Sequence, residues 1–243
     1  MGASAEQPPV RPHFFRLERF LLEQGDQGPR LAAFLEKGRI SAAARLGVPG
    51  PRLVLEALVA AHMPQVVAIT PYDTLEQMRD AASKLAADDA YQAALAQWEA
   101  GATPPYIEME DTLLAATDFC PALPAELPKR DAPRIFELRL YHSPTERQLK
   151  ALHARFAGPE IAIFHRCGVH PILYSSTEIG PHKPNLVYLT PFDDLAAREK
   201  AWAAFGADPQ WIKVRAESIA ASGQISAVIQ ISLFRAASYS PLR

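Results

Sequence analysis

The sequence predicts an α+β chain of two tandem ferredoxin-like units, each ordered β-α-β-β-α-β, packed sheet to sheet as an intramolecular α/β barrel. Three observations carry this. The chain repeats itself at a spacing of about 120 residues: "QVVAITPYDTL" (Gln65–Leu75) returns as "NLVYLTPFDDL" (Asn185–Leu195). Within the second copy, stretches of period two alternate with stretches of helical period in the β-α-β-β-α-β order. A single such unit covers only one face of its sheet with helices, so the other face needs a second layer, which duplication supplies.

The repeat runs nearly the whole length. "FFRLERF" (Phe14–Phe20) matches "IFELRLY" (Ile135–Tyr141), "RLG" (Arg45–Gly47) matches "RCG" (Arg166–Gly168), and "ATDFCP" (Ala116–Pro121) matches the closing "AASYSP" (Ala236–Pro241). The chain therefore divides into an N-terminal arm (1–12), a first unit (13–121), a linker (122–133) and a second unit (134–243). The linker holds Pro124, Pro128 and Pro133 among charged residues and reads as semi-rigid.

The second unit shows its elements best. "RIFELRLY" alternates Phe136, Leu138 and Leu140 with Glu137, Arg139 and Tyr141, a strand with two unlike faces. Ser143 is placed to cap the following helix, with Pro144 at its first position and Glu146 completing a capping box. Leu149, Leu152, His153 and Phe156 share one side of that helix. The run from Glu160 to Ile179 reads as strand, interrupted by Gly168 and Pro171. "NLVYLT" is the third strand, and Asp193 is placed to cap the next helix, as Asp73 is in the first copy, there with Glu76 completing a box. Asp208-Pro209 opens a further helix, and "ISAVIQISLF" closes the unit as a strand.

Composition excludes several function classes. A net charge of −2 over 243 residues gives no reason to expect a nucleic-acid partner or an anionic membrane. No stretch approaches the roughly 18 apolar residues of a membrane span, and the polar, Pro-rich arm has no signal-peptide core. Two cysteines, Cys120 and Cys167, without a CxxC, fit a reducing compartment, so a cytoplasmic location is expected. P-loop, GxGxxG, G-x-S-x-G and HExxH patterns are missing, which argues against nucleotide, nicotinamide, nucleophile-elbow and zincin chemistry. No metal site and no cofactor is expected.

Five motifs in order resemble the NIPSNAP family: Glu137-Leu138-Arg139 with Tyr141; the strand Leu186–Phe192; Arg198-Glu199 with Trp202; Asp208-Pro209 with Trp211; and Ser240-Pro241-Leu242. The first half is a degraded copy, with Arg16-Leu17-Glu18, Phe20, Met78 and Asp89 at the corresponding places. The resemblance implies a dimeric α/β-barrel superfamily fold, the pseudo-dimer being supplied by the two units. It implies little about activity: animal members are linked to mitochondria and vesicle traffic, while related barrels include cofactor-free monooxygenases, lyases and haem enzymes.

The candidate site is built from the faces assigned to the barrel interior. If Phe136, Leu138 and Leu140 face the helices, then Glu137, Arg139, Tyr141 and Tyr188 point inward, with Gln230 and Ser232 from the last strand. The first copy contributes Arg16, Glu18, Phe20, Ala68 and Glu110. Buried charges need partners, so inter-unit or cross-strand pairing of Arg16, Glu18, Glu137 and Arg139 is one expectation; a free Arg139 or Glu110 holding a polar ligand is the other. His165 and Tyr141 are the candidate catalytic residues, His165 as an acid or base near neutral pH or, as the lesser alternative, a haem ligand. Two functions follow. One is a barrel that binds or transforms a small oxygenated molecule by cofactor-free acid/base or oxidative chemistry. The other is a non-catalytic interaction or scaffold protein with a collapsed, salt-bridged barrel. Exposed strand edges are expected to allow homo-oligomers.

Overall fold

The computed structural model describes residues 11–243, so most of the expected arm (1–12) lies outside the described residues. The first unit runs β1 (Phe14–Leu21), α1 (Gln27–Ala33), a π-helical segment (Phe34–Ile40), α2 (Ser41–Leu46), β2 (Leu53–Val59), β3 (Gln65–Tyr72), α3 (Leu75–Ala86), α4 (Asp89–Glu99) and β4 (Glu108–Ala116). The second repeats it: β5 (Ile135–His142), α5 (Glu146–Arg155), a π-helical segment (Phe156–Glu160), α6 (Ile161–Arg166), β6 (Leu173–Ile179), β7 (Asn185–Phe192), α7 (Leu195–Ala207), α8 (Pro209–Ser222) and β8 (Val228–Ala236).

The eight strands close into one barrel, in the order β1-β3-β2-β8-β5-β7-β6-β4. Within each unit the first strand lies between the third and the fourth, with antiparallel neighbours. Closure occurs at two inter-unit seams, β2 with β8 and β4 with β6. The seams use up the edges that were expected to remain free for dimerisation, since closing a sheet is the one arrangement that removes its edges.

Register and contacts decide which face is which. Directly opposed residues in an antiparallel pair share a face. Glu137 reaches Arg198 and Trp202 of α7, Glu18 reaches Arg39 of the π-helical segment, and Phe20 packs on Trp98 of α4. Those strand residues therefore face the helices. Their neighbours Phe15, Leu17, Phe136 and Leu138 face the lumen, which they fill with Leu53, Leu55, Val67, Ile69, Leu114, Leu173, Leu189 and Phe234, all buried. At roughly 1.5–3 kcal/mol per fully buried large apolar side chain, this lumen is the common core of both units. The face assignment for Glu18, Glu137, Arg139, Tyr141 and Tyr188 is thus corrected: they lie between sheet and helices. Only Glu110, Gln230 and Ser232 share the lumen-facing side, and of these Glu110 pairs with Arg19 while Gln230 is exposed. The middle of the lumen is filled by apolar side chains, whereas the helix layer brings its own Arg and Trp side chains to meet strand charges.

Two local expectations also change. The run after Glu160 is not all strand. Ile161–Arg166 is α6, which ends at Cys167, and Gly168 follows with φ of 88°, a left-handed conformation that glycine takes without steric cost. The caps sit one or two residues further on. Thr145 and Thr74 accept the backbone N–H of Gln148 and Gln77, and Asp194 that of Ala197. Ser143 instead donates to the Ile225 carbonyl, and Asp193 pairs with Arg130. Asp208 caps α8 with Pro209 at its start, as expected. No helix among the described residues is long and apolar enough to cross a membrane.

Candidate functional site

The second unit buries a polar cluster between its sheet and its helices. Glu137, on β5, is fully buried. It accepts from the Arg139 Nε, from the Arg198 Nε, and from the Trp202 indole N–H at 3.1 Å. Arg198 and Trp202 are four apart on α7 and so share a helix face. The Arg139 guanidinium lies 3.7 Å above the Trp202 ring, and its Nη1 donates to the Tyr141 hydroxyl at 3.0 Å. Tyr188, opposite Arg139 across β5–β7, donates its hydroxyl to Tyr141 at 2.8 Å.

A third phenol joins them. Tyr174 on β6 is paired with Tyr188 and is 1 % exposed, and its hydroxyl has no hydrogen-bond partner among the described residues. Phe156 packs against all three tyrosines at ring distances of 5.8–6.3 Å. Beyond it lies Glu160, 1 % exposed, which accepts from the Arg155 Nε at 2.7 Å. Arg155 in turn lies 4.9 Å over the Trp211 ring.

Electrostatics follow from burial. Desolvation pushes the Tyr141 and Tyr174 hydroxyls up, and Tyr188 well up, so all three are protonated donors at neutral pH. Burial opposes the Arg139 charge, but the neighbouring tyrosines and Glu137 outweigh it and hold the guanidinium protonated. Burial raises the Glu160 carboxyl to about 7 against the pull of Arg155. What the cluster can do is present hydrogen-bond donors, backed by the Arg139 guanidinium, to an acceptor oxygen.

The structure brings Glu137, Arg139, Tyr141 and Tyr188 together, and it separates them from Glu18, Glu110, Gln230 and Ser232. Glu18 belongs to the equivalent cluster of the first unit, where Arg39 grips it at 2.6 Å and Arg16 approaches to 3.4 Å. His165 lies on the exposed side of α6, stacked on His170 with ring centres 5.2 Å apart, and partial burial together with His170 lowers its pKa. The roles of interior base and haem ligand assigned to it therefore have no structural support: the residue sits on a helix where a strand was expected. His153 is packed as expected, its Nε2 2.9 Å from the Ser176 hydroxyl. Sequence reasoning missed Tyr174, Arg155 and Glu160. A signal existed for Glu160: Arg39 stands at its place in the first copy, continuing the charge swap already seen between Arg16/Glu18 and Glu137/Arg139.

An open groove of about 970 Å³ lies elsewhere, between the linker (Leu127, Lys129, Arg130) with the adjoining Arg134 and the final segment (Tyr239, Arg243), and includes none of the expected site residues.

Comparison with known proteins bears on the fold. The NIPSNAP family model matches residues 136–241. No curated protein matches. Three solved structures share the whole architecture. A monooxygenase-like protein from Lactobacillus acidophilus NCFM is 8% identical over 92% of this chain and 93% of its own, with a TM-score of 0.57. An anthrone oxidase-like protein is 13% identical over 93% and 92%, with a TM-score of 0.56. A chlorite dismutase variant from Candidatus Nitrospira defluvii is 10% identical over 95% and 93%, with a TM-score of 0.53.

Proposed function

With residues 136–241 forming a NIPSNAP domain, we propose that the second unit binds a small oxygenated organic molecule in the layer between its sheet and its helices. Arg139, Tyr141 and Tyr188 are its polar anchor. One observation carries this reading: the buried phenol hydrogens outnumber their acceptors. The Tyr141 oxygen accepts from both Arg139 and Tyr188, so the hydrogen of Tyr141 itself needs a further acceptor. Reversing the tyrosine pair only moves the spare hydrogen to Tyr188. The Tyr174 hydroxyl adds a second. A buried hydroxyl without a partner costs about 1–3 kcal/mol, and a carbonyl or hydroxyl oxygen of a ligand would satisfy both. The aromatic walls Phe156, Phe164 and Trp202 suit an apolar or planar frame around that oxygen. Structural neighbours described as monooxygenase-like and anthrone oxidase-like support a role with small organic molecules. Any chemistry these side chains offer unaided is proton transfer, cofactor-free.

Native mass spectrometry of freshly purified protein tests the reading. The expected result is a co-purifying mass that is lost in Tyr174→Phe and Tyr188→Phe. A bare chain from several expression hosts, together with no thermal stabilisation by any of a panel of aromatic carbonyl compounds, overturns it.

A second reading, a non-catalytic interaction protein, draws on the first unit. There Glu18 is held by Arg39 and Arg16, and Arg16 also holds Asp111 through a two-pronged contact. Phe20 packs on Trp98, where the second unit has the Tyr141 hydroxyl. On this evidence the first unit is the structural half of the molecule.

A further inference from the structure

The groove between the linker and the final segment is tied together by one residue. Arg52, just before β2, donates from Nη2 to the Ala125 carbonyl at 2.8 Å, and its own carbonyl accepts the Leu242 N–H at 2.9 Å. Leu123 and Leu242 anchor the same two segments in the core, and the Ser240 hydroxyl accepts the Val54 N–H at 3.0 Å. Both walls are therefore fixed to the start of β2. The space of about 970 Å³ between them is preformed, at the upper end of what small-molecule sites enclose. Four cationic side chains line it, Lys129, Arg130, Arg134 and Arg243, against two carboxylates, Glu126 and Asp131. Asp193 engages Arg130 at 2.5 Å. Lys129, Arg134 and Arg243 have no side-chain carboxylate partner among the described residues. Arg134 is held instead by the main-chain oxygens of Pro128 and Arg243, and Arg243 by the carbonyl of Ser238. A guanidinium has five N–H groups, so both keep donors to give. The repeat does not demand these charges: His13 and Leu123 stand at the places of Arg134 and Arg243 in the first copy.

Guanidiniums held in place on a groove wall fit an anion, and their planar fork fits a carboxylate in particular. Glu126, Asp131 and, through Arg130, Asp193 offset three of the four cationic charges, so the groove suits one anionic group rather than several. Leu127, Pro133, Tyr239 and Pro241 give the same space an apolar lining, which a bare inorganic ion would leave uncovered. We propose that this groove is a second binding site, for a small organic monocarboxylate with an apolar or aromatic body. Arg134 and Arg243 hold its carboxylate, with Lys129 adding charge, and its body lies against Tyr239 and Leu127. The site shares no residue with the cluster of Tyr141, Tyr174 and Tyr188, so it stands whether or not that cluster takes a ligand.

The probes are 1-naphthoate, the neutral 1-naphthylmethanol and inorganic phosphate, each titrated by calorimetry into the full chain. The wild type is expected to bind 1-naphthoate in preference to the other two. Arg134→Gln and Arg243→Gln are each expected to weaken it about tenfold, the worth of a charge-assisted hydrogen bond. Arg215→Gln, which changes an exposed arginine on α8, and Tyr188→Phe are expected to bind it as the wild type does. Arg134 and Arg243 also brace the groove walls. Should both variants disturb folding, Lys129→Gln, which breaks no contact among the described residues, is expected to weaken binding about threefold. An equal loss in Arg215→Gln would reduce the effect to general attraction between charges and overturn the proposal. So would 1-naphthylmethanol or phosphate bound as tightly as 1-naphthoate. Binding lost in Tyr188→Phe but kept in Arg134→Gln and Arg243→Gln would move the ligand to the sheet–helix layer, overturning this proposal and favouring the earlier one. No binding to the wild type, or self-association abolished by Arg243→Gln in its place, overturns this proposal alone.

Discussion

The two units share one backbone plan and oppose each other in charge. The first places Arg16, Glu18 and Arg39 between sheet and helices; the second places Glu137, Arg139 and Glu160 at the matching positions. In the first, one carboxylate sits between two guanidiniums and the layer is completed by Trp98, stacked 4.6 Å from Phe34. In the second, Glu137 is shared between Arg139 and Arg198, Glu160 pairs with Arg155, and Tyr141 and Tyr188 are hydrogen-bonded to each other. Inverting every sign conserves pairing energy to first order, so the swap by itself is neutral. The phenols are what differ. They add phenol donors to the ion cluster of the second unit.

The largest expected effect breaks the charge clusters. Glu137→Ala leaves Arg139 and Arg198 buried without their acceptor and is expected to destabilise by about 3–5 kcal/mol. Glu18→Ala is expected to cost a similar amount through Arg39, if both clusters are ion-paired to the same degree. Urea denaturation of the two variants measures this directly, and a loss under 1 kcal/mol in either would show that its cluster is not held by pairing.

Next comes a pH effect confined to the second unit. The Glu160 carboxyl titrates at about 7 in the folded chain against an ordinary value of 4.5. Because the folded value is raised, the folded state binds the extra proton between these limits. Stability then falls as pH rises from 4.5 to about 7 and levels off above, by about 3 kcal/mol in all. Glu160→Gln is expected to flatten that part of the curve in a pH series of thermal melts. A variant curve parallel to the wild type would assign the slope to other groups.

Smaller effects separate the phenols from one another. Tyr188→Phe removes one hydrogen bond to Tyr141 and is expected to cost about 1 kcal/mol. Tyr174→Phe removes a hydroxyl that has no partner, so its effect on the free protein is expected to lie within about 0.5 kcal/mol of zero or to be stabilising. If Tyr174→Phe costs as much as Tyr188→Phe, the Tyr174 hydroxyl is satisfied in solution and the donor surplus is smaller than the geometry indicates.

Much of the fold was legible in the order of elements. The alternation in "RIFELRLY" and "NLVYLT" and the spacing of the two copies all point to paired four-stranded units. Where reading failed, the signal was symmetric or short. Ile161–Phe164 is a brief apolar run, and such runs do not separate a buried strand from a buried helix. Gly168 is equally at home in a strand bulge and after a helix end; its φ of 88° after α6 decides for the second. Within the candidate site, Arg139, Tyr141 and Tyr188 were legible because a charged or phenolic residue on an apolar strand stands out. Tyr174 and Glu160 were hidden in a segment read as one long strand, and the π-helical geometry that holds Glu160 has no pattern in single-residue types.

By itself the sequence determined the periods, the turns and the copy number, because these depend on local sterics, capping and the spacing of apolar residues. Only the tertiary structure decided which face of each strand looks into the lumen. A period of two distinguishes two faces without naming them. The choice was made by closure of the barrel, which gathers Phe136 and Leu138 with the apolar residues of the other strands and leaves Glu137, Arg139 and Tyr141 to the helices that carry partners for them.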